Sequence, residues 1–247
     1  MKVLIATDKP FASEAVNGIR SAVEGAGYEL VLLEKYTQKQ ELLDAVANVD
    51  AAIIRSDIFD SAVFDAAKNL KIVVRAGAGF DNIDLDAATA HNVCAMNTPG
   101  QNANAVAELA FGLAVMAVRS FYNGASGTEL GGKKLGIHAY GNVGRNVARI
   151  AKGFNMEVYA FDPFLTKEAI EAEGVKAVDS VEELYSTCQF VSLHIPATSE
   201  TKNSINYELL NKMPKKAVLI NTARKEVINE AEIAKLMADR VDFKYVT

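Results

Sequence analysis

Short apolar, β-branched runs alternate with longer mixed stretches along almost the whole chain. Residues 3–6, 29–33, 51–54, 71–74 and 93–96 read as strands, and 14–26, 40–46, 60–69 and 86–91 as the helices between them. Ser13 is expected to cap the first helix and Gly27 to end it. The strands are continuously apolar rather than alternating, which predicts parallel sheets covered on both faces.

Thr98-Pro99-Gly100 breaks the rhythm. The next helix, over 104–122, is long, rich in Ala and Leu, and poor in charge, as suits a helix buried between layers. A glycine-rich connector over 124–132 follows, with no strand directly before it, so it reads as a surface loop rather than a phosphate loop. Strands are then predicted at 134–138, 157–161, 189–194, 217–220 and 243–247. Helices are expected from the turn at Gly144 to 154, then at 167–173, 180–186, 207–212 and 230–239. Two α/β units, 1–98 and 99–247, are the simplest account.

Composition narrows the function classes. The chain has 247 residues, 26 Lys+Arg, 31 Asp+Glu and a net charge of −5, which gives no electrostatic case for nucleic acid or a membrane surface. No run of eighteen apolar residues is present, so no membrane span is expected. The opening apolar stretch is too short for a signal peptide, and Cys94 and Cys188 have neither disulfide-framework nor metal-site spacing. A cytoplasmic setting is therefore expected.

The strand at 134–138 runs into Ala139-Tyr140-Gly141-Asn142-Val143-Gly144 and then a helix. A dinucleotide site needs this arrangement: one glycine lets backbone N–H groups approach a pyrophosphate, another lets helix and strand pack closely, and the helix N-terminus attracts the charge. Ala139 stands where the full pattern has its first glycine, and it can make the turn if its φ stays negative. Asp162 closes the following strand, about 20 residues on, where a carboxylate accepts both ribose hydroxyls. It would repel a 2′-phosphate, so NAD is favoured over NADP. Taken alone, Asp162 reads rather as a helix N-cap or turn residue before Pro163; the strand, glycine turn, helix and second strand around it make the case for a ribose site.

Further motifs accompany these. They are Arg55-Ser56; Arg75-Ala76-Gly77-Ala78-Gly79-Phe80-Asp81-Asn82-Ile83-Asp84; Asn97-Thr98-Pro99 with 102–108; His194-Ile195-Pro196 with Thr201; and Ile220-Asn221-Thr222-Ala223-Arg224. With Gly141, Asn142, Val143, Gly144, Asp162 and Pro163, they make the chain resemble the D-isomer-specific 2-hydroxyacid dehydrogenases over nearly its whole length.

The resemblance implies two doubly wound parallel-sheet α/β domains, a flavodoxin-like substrate domain and a Rossmann-type NAD domain. It implies hydride transfer between NAD(H) and a D-2-hydroxy acid, with Arg224 the catalytic arginine. Gly141 to Gly144, Asp162, Pro163, His194, Ile195, Pro196, Thr201, Thr222 and Ala223 then belong to the cofactor site. Arg55, Ser56, Arg75, Ala76, Gly77, Ala78 and Gly79 belong to the substrate site, where successive N–H groups of the glycine-rich loop can form an anion nest. Arg55 and the Arg75 loop favour 3-phosphoglycerate or 3-phosphohydroxypyruvate. A glyoxylate, hydroxypyruvate or D-lactate-type reductase remains open, as does a non-enzymatic NAD-sensing module. The resemblance assigns His194 to the cofactor's surroundings, not to proton transfer, and implies a homodimer through the 104–122 helix.

Two departures accompany Ala139. Lys225 follows Arg224 where the family usually has Gly, a strained choice if that position needs positive φ. The last residues look like the start of a core strand, and the family's strand-end Asp and its catalytic Glu and His are expected beyond Thr247. A longer protein, and an inactive 247-residue form, are accordingly expected.

Overall fold

Two separate parallel sheets carry the fold of the computed structural model, which describes residues 1–247, and the chain divides into the units Met1–Gln101 and Asn102–Thr247. In the first unit β1 (Lys2–Thr7), α1 (Ser13–Gly25), β2 (Glu29–Glu34), α2 (Lys39–Val46), β3 (Ala51–Ile54), α3 (Ser61–Ala66), β4 (Ile72–Arg75), α4 (Leu85–Ala90) and β5 (Cys94–Asn97) alternate. The strand order is β2-β1-β3-β4-β5. Alternate strand residues Leu4, Ala6, Ala52, Ile54 and Val73 bury one face against Leu42, Val46, Val63 and Phe64. The register sets Ile54 beside Arg75 and Arg75 beside Asn97, so the loops that follow leave from one sheet edge.

In the second unit the order of elements is α5 (Ala103–Val118), β6 (Lys134–His138), α6 (Asn142–Gly153), β7 (Glu157–Phe161), α7 (Lys167–Glu171), β8 (Lys176–Ala177), α8 (Val181–Thr187), β9 (Phe190–Leu193), α9 (Tyr207–Asn211), β10 (Val218–Asn221), α10 (Glu230–Asp239) and β11 (Lys244–Val246). The sheet runs β11-β10-β9-β6-β7-β8. Leu135, Ile137, Val218 and Ile220 pack on the small-residue face of α5 and on α6. Val191, Leu193 and Leu219 bury the opposite face with Leu184, Tyr185, Leu209 and Leu210. Both faces are covered, as continuously apolar strands require.

Several local expectations are corrected. Ser13 is the first residue inside α1, not its cap; Ala12 holds that position and supplies no side-chain bond. Asp60, Asp84, Thr166, Ser180, Asn206 and Asn229 do cap, each accepting a backbone N–H. The long helix ends at Val118 rather than at Tyr122, because Ser120, Phe121 and Tyr122 take φ of 51°, 53° and 59° and turn the chain away. The two-residue strand β8 was not anticipated; it pairs only with β7 at the sheet edge, and so short a run has no period to detect.

Candidate dinucleotide site and anion loops

The register of the second sheet aligns His138 with Phe161 and Leu193, and Leu193 with Asn221. The turn residues Ala139, Asp162, His194 and Thr222 therefore follow at neighbouring strand ends. The first strand of this unit, β6, lies inside the sheet; β7 goes to one side and β9 to the other. In open α/β sheets ligands bind outside the strand ends at this reversal.

The glycine turn fits a diphosphate. A Cβ on Gly144 would lie 2.5 Å from the Ala139 carbonyl oxygen and 3.0 Å from Ile137, so glycine is required there for helix and strand to pack. A Cβ on Gly141 would meet nothing within 4 Å, so that side of the turn stands open for a ligand. Gly141 is the N-cap of α6 and no side chain bonds to the helix end, which leaves the first-turn amides of Asn142, Val143 and Gly144 uncapped by any side chain. Ala139 takes φ 79°, so the negative φ under which alanine was to suit the turn is not met.

Asp162 is half-buried. Its Oδ2 accepts the Tyr140 N–H at 2.8 Å and its Oδ1 accepts the Phe164 N–H at 2.9 Å. Each oxygen keeps lone pairs for a further donor, as a ribose diol requires. Pro163 follows it, exposed. Tyr140 is buried, donates its hydroxyl to Glu173 and lies under the Arg145 guanidinium, which is itself paired with Glu173.

Beyond β9 and β10, His194 Nε2 and Thr222 Oγ1 are buried without a hydrogen-bond partner. Orphaned polar atoms at a sheet's binding edge are the kind a polar ligand satisfies. Burial pushes His194 down to about 3, with His138 adding to the effect. Burial likewise pushes His138 down to about 4, opposed by Asp162, and His138 Nδ1 lies 3.2 Å from the Tyr185 hydroxyl. Both rings are neutral at neutral pH and too weakly basic to hold a proton there. Thr201 braces the loop after β9: it accepts the Thr198 N–H at 2.7 Å and donates to the Pro196 carbonyl. Ile195 is buried beside it.

Asn221, buried at the end of β10, organises the arginine turn. Its side chain accepts the Ala223 N–H at 3.0 Å and donates to the Arg224 carbonyl at 3.2 Å. Arg224 is half-buried in extended backbone. Lys225 opens a 3₁₀ turn and is absent from the positive-φ residues, so the non-glycine choice carries no strain.

In the first unit, Arg55 and Ser56 are exposed, and the Arg55 guanidinium makes no hydrogen bond or ion pair. Arg75 donates Nε to the Arg55 carbonyl at 2.9 Å, and its guanidinium covers the space where a Cβ on Gly77 would stand. The anion nest is narrower than the sequence implied. The Ala76 N–H is spent on the Ile54 carbonyl at 2.7 Å and the Gly77 N–H on the Arg75 carbonyl at 2.9 Å. Ala78 and Gly79 keep theirs, in a loop held by Asn97 donating to the Ala78 carbonyl at 2.7 Å.

A parallel sheet with a glycine turn, an uncapped helix end and a strand-end carboxylate defines a dinucleotide-binding domain. Residues 100–246 match the family model described as D-isomer specific 2-hydroxyacid dehydrogenase, NAD binding domain, and the chain belongs to that family. It is similar to the D-3-phosphoglycerate dehydrogenase of Methanocaldococcus jannaschii, 35% identical over 206 residues, which are 78% of this chain and 39% of that protein. It is also similar to the hydroxypyruvate reductase of Thermotoga maritima, 36% identical over 216 residues, 82% of this chain and 69% of that protein. A crystal structure of NAD+-bound 3-phosphoglycerate dehydrogenase from Entamoeba histolytica superposes with a TM-score of 0.94 at 44% identity, covering 99% of this chain and 79% of that one. The chain thus spans well under half the length of the first of these relatives.

Proposed function

We propose that the chain is part of an NAD-dependent D-2-hydroxyacid dehydrogenase that interconverts 3-phosphoglycerate and 3-phosphohydroxypyruvate. NAD, when bound, supplies the hydride acceptor or donor. The chain's residues bind and orient. Uncapped amides of Asn142, Val143 and Gly144 hold the diphosphate, Asp162 and Pro163 meet the adenosine ribose, and the turns at His194 to Pro196, Thr201, Thr222 and Ala223 line the rest of the cofactor. Arg224 takes the substrate carboxylate and C2 oxygen, for which a planar guanidinium is suited. The Ala78 and Gly79 amides bind carboxylate.

The observation that carries the choice of a phosphorylated acid is Arg55, an exposed guanidinium without a partner on the same sheet edge as the glycine loop. The test, on the full-length protein, compares reduction of 3-phosphohydroxypyruvate, hydroxypyruvate, glyoxylate and pyruvate by NADH. Arg55→Ala is expected to raise KM for the phosphorylated acid alone, since a lost charge-assisted bond costs ~1.5–3 kcal/mol. Equal losses on all four acids would remove Arg55 from the site.

The protein is further read as a homodimer in a reducing, cytoplasmic compartment. Leu109, Gly112 and Met116 form an exposed stripe along α5, and Phe121, Tyr122 and Phe154 are exposed as well. A stripe of this extent suits a second copy. Light scattering of Leu109→Glu against the unaltered protein tests it, and an unchanged mass sinks it. No helix is long and apolar enough to cross a membrane.

A further inference from the structure

Asp57 is a carboxylate that the site described above leaves unused. It is 4% exposed, lies two residues past Arg55 and has no cationic partner. Its Oδ1 accepts the Asp8 N–H at 2.9 Å and the Tyr36 hydroxyl at 2.6 Å, and its Oδ2 accepts the Arg55 N–H at 3.3 Å. Its carbonyl accepts the Asn82 amide at 2.7 Å. Asp8, Tyr36, Arg55 and Asn82 stand in the loops after β1, β2, β3 and β4. Four loops of one sheet edge therefore meet on a single buried residue.

A buried carboxylate without a cation is tolerated only while its donors stay in place. Here the donors are two backbone amides and a phenol. Burial and the Asp57 carboxylate push the Tyr36 hydroxyl well above its ordinary value, so it remains a donor. The Arg55 backbone N–H is one of these donors, so the loop that carries Arg55 is tied to the buried carboxylate. Arg75, donating to the Arg55 carbonyl, holds the other side of the same residue. The Arg55 guanidinium is thus free at its tip and fixed at its root, which lowers the ordering cost of meeting an anion.

We infer that Asp57 is a positioning residue that aims Arg55 at the distal phosphate of the substrate. This rests on the assignment of Arg55 given above. Asp57 touches no substrate itself; it acts through the loop. Asp57→Ala frees two backbone amides and the Tyr36 hydroxyl and lets the Arg55 loop relax. Binding should then fall for ligands that use Arg55 and for no others, whereas a merely structural role would weaken every ligand alike.

The experiment measures 3-phosphoglycerate and D-glycerate binding by calorimetry on the full protein with NAD+ present, together with the melting temperature. Asp57→Ala is expected to cut the 3-phosphoglycerate preference by about tenfold or more, with D-glycerate affinity within about twofold of the unaltered protein. Equal weakening of both ligands, or no change, overturns the inference. If Asp57→Ala does not melt cooperatively, Tyr36→Phe decides: it removes one donor and keeps the carboxylate, and a preference reduced by about threefold or more is expected. An unchanged preference in Tyr36→Phe then overturns the inference. Arg55→Ala separates the two levels. Where it abolishes the preference and Asp57→Ala does not, the positioning role alone fails. Where it leaves the preference intact, the phosphate assignment fails and the positioning role falls with it.

Discussion

The backbone N–H of Tyr140 reaches the Asp162 carboxylate at 2.8 Å, joining the glycine turn after β6 to the end of β7. That bond holds Asp162 in place while leaving acceptor capacity for a sugar. A negative group so held repels a phosphate on the same ribose. NADH is expected to bind at least about tenfold more tightly than NADPH, because like charges brought together cost several kcal/mol. Asp162→Ala should narrow the gap. Dissociation constants measured in one buffer check this, and equal values for the two cofactors in the unaltered protein count against it.

The two glycines of the turn should respond differently to alanine. At Gly144 the added methyl meets the Ala139 carbonyl at 2.5 Å, a backbone atom with no room to yield. Gly144→Ala is expected to lose ~1–3 kcal/mol of stability. At Gly141 it meets nothing within 4 Å. Gly141→Ala should stay folded with a loss under ~1 kcal/mol, the scale of an N-cap exchange, and yet lose NAD affinity. Denaturant melts with and without NAD separate the two; the reverse pattern would refute the assignment of the open side to the cofactor.

Ala139 sits at φ 79°, where a Cβ is strained. Relief of ~1–2 kcal/mol is offset by the ~0.5–1 kcal/mol that glycine loses in chain entropy. Ala139→Gly should therefore stabilise the protein by about 0.5–1 kcal/mol, an unusual result for a glycine replacement. A lower melting temperature for this variant would show that the turn is unstrained.

Acid sensitivity follows from the two buried histidines. Burial holds His138 at about 4 and His194 at about 3, both below the unfolded value of about 6.5. Below that value the unfolded chain takes up protons that the folded chain refuses, so the unfolded state gains. Stability should be full above pH ~6.5 and fall as pH drops toward ~4, by up to a few kcal/mol. Urea titrations at several pH values test the slope, and His138→Gln should flatten it. A slope left unchanged in that variant would place the sensitivity elsewhere.

The alternating runs and the spacing from Gly141 to Asp162 were legible in the sequence, because each depends on neighbours within a few residues or on one period, whereas the roles of Arg55, Arg75 and Arg224 came only with the family resemblance. Parallel strands buried on both faces must be apolar throughout, and a βα turn against a diphosphate must be glycine. That was enough to give two parallel sheets and a dinucleotide turn. Other features came only from tertiary structure. The sign of φ at Ala139 depends on how β6 meets α6. Half of the expected anion nest was lost because Ile54 and Arg75 carbonyls already occupy the Ala76 and Gly77 amides. Asp57 carries no signal in the sequence, since its donors lie at Asp8 and Tyr36, 49 and 21 residues away. Local sequence sets what a segment is; which buried polar groups find one another is decided by chain crossings that bring distant residues within 3 Å, and no local pattern encodes those.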